Sequence, residues 1–301
     1  MLTLAIPNRN GARFLSETLA SLERNRPHVR WWFQDSCSSD DSVEIAKRFQ
    51  GADDRIQVER DRGQTDGLNR AFASMGGEII GFLNSDDCLT DGAAEAVLAA
   101  FAADPALDLV YGQVEWIDEQ GRSQGFHRGD ISSYAEVLDI YGVWWNGRQW
   151  VQPEVFWRRR LWSRVGGFDE TFDLAFDYDY WVRCFQHGVK VKQLPRVLAQ
   201  FRRHDAQKST AAAKAASEIR RIVVAALDSQ RPLPLWNRLR LRNRLSYDLY
   251  HCGQGEFAGM TFPRALAFHP NWLALPEVRS RLGNSRLAAA LTGRTGVRLR
   301  G

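Results

Sequence analysis

The run Glu78-Ile79-Ile80-Gly81-Phe82-Leu83-Asn84-Ser85-Asp86-Asp87 decides the fold, because an apolar stretch breaks off abruptly into two adjacent carboxylates. An apolar run of this length suits a strand buried on both faces, as in a parallel sheet covered by helices. The acids then fall just past the strand's carboxyl end, where open α/β sheets bind their ligands. Hard cations such as Mg²⁺ or Mn²⁺ prefer carboxylate oxygens and keep phosphate oxygens among their remaining ligands, so the pair fits a divalent ion carrying a phosphorylated ligand. The competing reading is a polar turn in which Asp bonds its own backbone.

Outward from that run, strands and helices alternate. Leu2 to Ile6 reads as a first strand, followed by the turn Pro7-Asn8-Arg9-Asn10-Gly11 and a helix with Leu15, Leu19 and Leu22 at helical spacing. A second strand, Val29 to Phe33, runs into the polar turn Gln34 to Asp40, and Asp41 with Glu44 has capping-box spacing for a helix over Ser42 to Phe49. Ile56 to Val58 is a short third strand; the helix from Gly67 to Met75 ends at Gly76-Gly77, where glycine tolerates left-handed geometry. Ile79 to Leu83 is the fourth strand, a helix covers Gly92 to Ala102, and Leu107 to Ile117 is strand again. This order predicts an α/β fold with a Rossmann-like, mostly parallel, doubly wound sheet flanked by helices. After about residue 125 the rhythm weakens: Tyr134 to Trp157 is dense in aromatics, and beyond Ser209 the chain is Ala- and Arg-rich with helical spacing broken at Pro232 and Pro234. The expected division is an α/β domain over residues 1–205, with halves 1–118 and 119–205, and a helical, Arg-rich region over residues 206–301.

With 301 residues, 44% apolar and 25% charged, the chain has the composition of an ordinary globular protein that buries a full core. It opens on a strand rather than a signal peptide and holds no apolar run of about 18 residues, the length of a spanning helix, so a cytoplasmic location is expected. Cys37, Cys88, Cys184 and Cys252 are scattered without C-x-x-C spacing, which argues against a zinc site or a disulfide framework. The charge is uneven. Residues 231–301 carry twelve arginines and three acids, a balance of +9, which leaves −5 for the rest of a chain whose net charge is +4. Such a tail faces either an anionic membrane surface or solvent; no recognisable DNA or RNA motif supports nucleic acid as the partner.

Asp35 ends the second strand as the paired acids end the fourth, so a parallel sheet brings these groups to one edge, where a carboxylate can accept the imide N–H of a uracil or thymine ring. Asp66, at the start of the Gly67 helix, serves either as an N-cap or as an acceptor for a ribose or sugar hydroxyl. The stretches Thr3-x-x-x-Pro7-x-x-Asn10, Asp35-Ser36-x-Ser38-x-Asp40, Asp61-x-Gly63-x-x-Asp66-x-x-Asn69 and Asn84-Ser85-Asp86-Asp87 resemble the successive signatures of the family 2 glycosyltransferases of the GT-A fold. Gln152-Pro153-x-x-Phe156-x-Arg158-Arg159, Val165-Gly166-Gly167-Phe168-Asp169-Glu170, Asp177-x-Asp179-x-x-x-Arg183 and Arg202-Arg203-His204 continue it, over roughly residues 1 to 208. The resemblance implies an inverting glycosyltransferase with a donor-binding half over about 1–118 and an acceptor-binding half over about 119–205. It places Pro7, Asn10, Asp35, Asp66, Asn69 and Asp86 at a nucleotide-diphosphate sugar, with UDP or dTDP favoured and GDP compatible. It further implies a divalent cofactor, Mn²⁺ or Mg²⁺, on Asp86, Asp87 and His204, and Asp177 as catalytic base. The first position of the acidic element is Asn84, and Phe176 precedes Asp177 where many relatives have Glu.

An acidic base suits the chemistry, since an acceptor hydroxyl must lose its proton as it attacks the anomeric carbon. Asp179, two residues on in a helix, faces away from Asp177 and is poorly placed as a second, nucleophilic carboxylate. Among Trp144, Trp145, Trp150 and Trp157, one or two near Gln152 can stack on the C–H face of a sugar; Trp150, Gln152 and Trp157 are the candidates for a glycan or lipid-linked acceptor. Arg158-Arg159-Arg160 either attracts a phosphate-linked acceptor or solvates one face. Two rivals remain: a sugar nucleotidyltransferase, which needs a Gly-rich loop where Pro7 to Gly11 has one glycine, and a degenerate module that binds nucleotide sugar without turnover.

Overall fold

The structure is a computed structural model that describes residues 1–205, 207, 212–229, 233–251 and 255–283. Cys252 and the final arginines, Arg286, Arg294, Arg298 and Arg300, lie outside the described residues. The chain divides into two compact units, Met1–Leu138 with Gly142–Arg231, and Asp139–Tyr141 with Pro232–Gly301.

In the first unit the elements follow in the order β1 (Leu2–Asn8), α1 (Ala12–Glu23), β2 (Val29–Asp35), α2 (Ser42–Phe49), β3 (Arg55–Val58), α3 (Gln64–Ser74), β4 (Ile79–Phe82), β5 (Cys88–Leu89) and α4 (Ala93–Ala103). There follow β6 (Leu109–Ile117), β7 (Ser123–His127), α5 (Tyr134–Val137), β8 (Val155–Arg158), α6 (Arg159–Val165), α7 (Phe176–Gln186), β9 (Val191–Arg202) and α8 (Ala212–Asp228). The sheet order is β3-β2-β1-β4-β8-β6-β9-β5, with β7 paired to β6. β1, β2, β3 and β4 are mutually parallel. β8 enters antiparallel between β4 and β6, and β9 runs parallel to β6. Six strands, β1, β2, β3, β4, β6 and β9, therefore point one way; the alternation of strands and helices predicts the first five, and β9 lies beyond the stretch it covers. The antiparallel insertion of β8 is a tertiary event that no local pattern announces.

β1 is flanked by β2 and β4, so the strand order reverses at the β1–β4 boundary and opens a crevice at their carboxyl ends. Pro7 fits this central strand for a local reason. Ala5 pairs toward β4, and Pro7, two residues on, faces the same side beyond the last β4 pair, where no N–H is required. Leu15, Leu19 and Leu22 of α1 are fully buried against Leu2, Leu4 and Ile6 of β1, as their helical spacing predicts.

Several boundaries move for identifiable reasons. α3 begins at Gln64, after Gly63 with φ +133°, so Asp66 lies in its first turn and is not the N-cap. Asp41 makes no capping bond; Asp40 does, its Oδ1 accepting Ser42 N–H while Oδ2 accepts Ala12 N–H, so one carboxylate serves the starts of α1 and α2. The end of α3 is closed by Arg159, whose guanidinium donates to the carbonyls of Phe72, Met75, Gly76 and Gly77. Only Gly77 of the Gly76-Gly77 pair has positive φ. Arg158 is buried and donates to the carbonyls of Phe101 and Leu107, and Arg160 pairs with Asp108. The three arginines thus tie α3, α4 and the β6 entry together, a role that neither of the two alternatives read from the sequence, an anionic acceptor or a solvated face, includes.

The expected domain boundary at 205 also shifts, because α8 belongs to the first unit. The second unit contains α9 (Leu235–His251), α10 (Phe262–Phe268) and α11 (Pro276–Gly283), packed around Tyr247, Phe257, Leu266, Trp272 and Val278. Among the described residues no helix is long and apolar enough to cross a membrane.

Candidate active site

The carboxyl ends of β1 and β4 open into a cleft of about 590 Å³. It is lined by Pro7, Asn8, Arg9, Ser36, Asp61 and Gln64, by Asn84, Ser85 and Asp86 after β4, and by Gln152, Leu174, Phe176, Asp177, Phe201 and Ala215 from later in the chain. The backbone is drawn tight where the turns after β1 and β2 meet. Asn10 and Cys37 both take φ +53°, and Asn10 Oδ1 accepts Ser39 N–H at 2.8 Å, pinning the two turns to each other. Gly11 permits the close approach of α1, since a Cβ there would lie 2.3 Å from Asn8 Oδ1 and 2.6 Å from Ser85 Oγ.

The two acids after β4 point in different directions. Asp86 lines the cleft, and its Oδ2 is 3.0 Å from His204 Nε2, brought there by the end of β9. The His204 ring packs on Phe14 at 4.9 Å between centroids. A carboxylate oxygen and an imidazole nitrogen converging at the cleft fit a divalent ion whose other positions a phosphorylated ligand would fill. Among the described residues no cluster of three or more His, Cys, Asp or Glu side chains is built to hold a metal by itself.

Asp87 is fully buried and does not line the cleft. Its Oδ1 accepts Arg202 N–H at 3.0 Å and its Oδ2 accepts Asn84 Nδ2 at 3.3 Å. Burial, followed by the neighbouring Asp86 charge, pushes its pKa well above the carboxylate range. The expectation that both acids ligate a metal is therefore corrected: Asp86 faces the cleft, while Asp87 fastens the turn to β9. Asn84 explains its own identity. Its amide donates to Asp87 and to Gln152 Oε1 (3.1 Å) while its Oδ1 accepts from Gln64 at 2.8 Å, a mixed role that a carboxylate cannot fill. Arg202, also buried, donates to Asp86 O, to the carbonyls of Asp118 and Glu119 and to Glu17, fixing the turn from behind.

Asp177 lines the same cleft, in the first turn of α7. Burial pushes its pKa up to about 6, against the pull of the Tyr178 N–H donated to Oδ1 at 2.7 Å. Among the described residues no arginine or lysine forms an ion pair with it, so this carboxyl exchanges its proton near neutral pH. Asp179 is tied to Arg183 at 2.7 Å and packed inward. The loop before α7 is held from α8: the buried Glu218 carboxylate accepts the N–H groups of Asp173, Leu174 and Ala175 at 3.3, 2.8 and 2.9 Å. Nothing in the spacing of a helix 40 residues downstream signals that contact.

Of the residues expected at the site, Pro7, Asp86, Gln152 and Asp177 line the cleft and His204 adjoins it through Asp86. Four expected donor contacts lie elsewhere. Asp35 is fully buried, accepting Asn8 Nδ2, Ser38 N–H and Ser38 Oγ–H, so it shapes the turn from beneath. Asn10 is spent on Ser39, and Asp66 is paired with Arg62 and Arg70. Asn69 bonds both backbone groups of Phe168 through its amide. The acceptor platform is corrected as well. Trp157 is fully buried among Phe72, Tyr180 and Trp181, and Trp150 is buried against Tyr111, so neither offers an open ring face. Arg9, Ser36, Asp61, Gln64 and Phe201 take the places at the cleft; Ser36 and Asp61 stand within the quoted motifs, whereas Phe201 carries no sequence signal.

Comparisons with known proteins bear on the fold and the family. Among curated relatives, a PGL/p-HBAD biosynthesis glycosyltransferase of Mycobacterium bovis is 28% identical over 203 residues, 66% of this chain and 75% of the relative. The O-antigen biosynthesis protein RfbC of Myxococcus xanthus is 27% identical over 210 residues, 67% of this chain but 16% of that longer protein. Among solved structures, S. aureus TarS 1-349 in complex with UDP-GlcNAc superposes with a TM-score of 0.63 at 14% identity, covering 94% of this chain and 80% of that one. The mannosyltransferase PcManGT of Pyrobaculum calidifontis, in complex with GDP-Man and Mn2+, gives a TM-score of 0.61 at 19% identity, covering 97% and 78%. These likenesses establish the GT-A fold. The profile of Glycosyl transferase family 2 matches residues 3–167, more than half of the chain. With that match, and with the crevice built where the family's signatures converge, the chain belongs to Glycosyl transferase family 2.

Proposed function

We propose that this glycosyltransferase moves a sugar from a nucleotide-diphosphate donor to an acceptor hydroxyl with inversion, in the assembly of a cell-surface polysaccharide or glycolipid. The observation that carries the reading is that Asp177, whose carboxyl burial lifts to about 6, lines the same cleft as Asp86. The acceptor oxygen attacks the anomeric carbon as the bond to the diphosphate breaks, and Asp177 takes the acceptor proton. One carboxylate suffices for inversion; a covalent intermediate requires a second, and of the nearby acids Asp179 is turned inward on Arg183 and Asp173 is paired with Lys214 at 2.6 Å.

Asp86 and His204 would hold a divalent ion, Mn²⁺ or Mg²⁺, whose contribution when bound is to neutralise charge on the departing diphosphate. Arg9, which has no ion-pair partner among the described residues, supplies a second positive group at the cleft. Asn8, Ser36, Asp61 and Gln64 offer donors and acceptors for base and ribose. The solved relatives support a nucleotide sugar as donor, since TarS is bound to UDP-GlcNAc and PcManGT to GDP-Man with Mn2+. With Asp35 spent on Asn8 and Ser38, uracil, thymine and guanine donors all belong in the panel. Curated relatives named for PGL/p-HBAD and O-antigen biosynthesis support a surface glycan or lipid-linked acceptor.

A thermal-shift panel of UDP-, dTDP- and GDP-sugars with Mn²⁺ or EDTA, on the parent and Asp86→Ala, tests the reading. Binding to the folded state raises the melting temperature by mass action. A rise with one nucleotide class that requires both the metal and Asp86 is expected. No rise with any donor would sink it.

A further inference from the structure

We infer that the first turns of α9 form a docking face for an anionic lipid bilayer. The helix runs Leu235-Trp236-Asn237-Arg238-Leu239-Arg240-Leu241-Arg242 at its start. Its inward positions follow helical spacing, with Leu241, Leu245 and Asp248 buried in the second unit. The opposite side is turned inside out for a soluble helix: Leu235 is 72% exposed, Trp236 76% and Leu239 52%. Leu235 and Leu239 are one turn apart, with Trp236 beside them, so the three make one apolar patch rather than scattered residues.

Two observations select the occupant. First, the patch is bordered by the exposed Arg240 and Arg242, in a segment whose balance over residues 231–301 is +9 against −5 for the rest of the chain. A partner that covers the apolar centre must therefore accept arginines around its rim, which is the charge pattern of an anionic headgroup layer. Second, the chemistry of the patch matches the depth profile of such a layer. Leucine enters the acyl boundary, the amphipathic indole sits at headgroup level, and arginine stems lie along the apolar surface with their heads in the phosphate layer. The same unit repeats the pairing on α10, where Arg264 and Phe268 (67% exposed) are four residues apart on one face. Arginine charge alone distinguishes neither a solvated face nor a partner; exposed Trp and Leu at helical spacing within that charge do.

The inference deepens the proposed function by giving a transferase for lipid-linked acceptors a way to stay at the surface that presents them. Its test is independent of turnover. The full chain is co-sedimented with vesicles of phosphatidylcholine alone and of phosphatidylcholine with phosphatidylglycerol, at low and high salt, beside the triple variant L235S/W236S/L239S and the single variant Arg240→Glu. All four positions are exposed, so the melting temperatures should be unchanged. Binding is expected on anionic vesicles only, weakened by salt, reduced at least about tenfold in the triple variant and about fivefold or more by the charge reversal. Binding of the triple variant equal to the parent's, equal binding to both vesicle types, or none to either overturns the inference. So does a parent that is dimeric in solution, fails to bind vesicles, and becomes monomeric in the triple variant, since the patch then covers a second copy of the chain. Loss of transfer to a soluble acceptor in parent and variants alike, with vesicle binding intact, counts against the enzymatic reading alone.

Discussion

Replacing Asp177 with asparagine separates base chemistry from cleft shape, and burial sets the size of both effects. The Asp177 carboxyl is lifted from 3.8 to about 6, roughly two pH units at about 1.4 kcal/mol each. Between about pH 4 and pH 6 the folded chain keeps a proton here that the unfolded chain has already released. The unfolded state then binds fewer protons, so stability falls as pH rises through that window and levels off above it. The full cost near neutral pH is about 3 kcal/mol. Asp177→Asn cannot ionise, so the variant should be more stable than the parent by up to about 3 kcal/mol near neutral pH, about 5–10 °C in Tm for a unit of this size. At about pH 4 the gain should vanish. Transfer should fall by about 10²- to 10⁴-fold, while parent kcat/KM rises about tenfold per pH unit below about 6 and is flat above. Calorimetric melts at the two pH values, beside nucleotide release measured with donor and acceptor, check both halves. A variant that keeps its turnover, or a stability gain of equal size at both pH values, would refute the reasoning.

Three further outcomes follow from the same contacts. Glu218→Ala leaves three N–H groups of the loop before α7 without their carboxylate, so stability should drop by about 2–4 kcal/mol, and kcat should fall with donor KM unchanged; Glu218→Gln, which keeps one acceptor oxygen, should recover part of both in steady-state kinetics. His204→Gln should preserve the nucleotide-dependent rise in melting temperature but abolish the extra rise added by Mn²⁺; a variant still responding to Mn²⁺ like the parent would remove His204 from the metal site. Asn84→Asp removes the amide that donates to buried Asp87 at 3.3 Å and to Gln152 Oε1 at 3.1 Å, and should cost about 1–3 kcal/mol in urea unfolding.

Local chemistry was legible where a residue's environment follows from its neighbours in the chain. The buried run Ile79 to Phe82 could only be a covered strand, the spacing of Leu15, Leu19 and Leu22 could only face β1, and a parallel sheet necessarily brings the ends of β1 and β4 to one edge. Asp86 reaches the cleft for that reason, whereas Asp177, in the stretch where the rhythm weakens, is marked only by the resemblance to the family. What only the tertiary structure decided are the partners that arrive from far along the chain. Asp86 and Asp87 are adjacent and chemically identical, yet Arg202 of β9 draws one inward and leaves the other to His204. Asp35, Asp66 and Asn69 look like ligand contacts until Ser38, Arg70 and Phe168 occupy them, and three consecutive arginines look like an anion site until the carbonyls of α3 and α4 claim them. Trp157 is a sugar platform or a core residue depending only on whether β8 inserts between β4 and β6. Glu218 shows the limit most clearly: a carboxylate in an alanine-rich helix becomes the support of the loop before α7 through three hydrogen bonds spanning more than 40 residues. Side-chain periodicity records which face of an element is covered; hydrogen-bonding capacity is taken up by whichever donor the fold brings within about 3 Å, and that proximity is a property of the assembled chain.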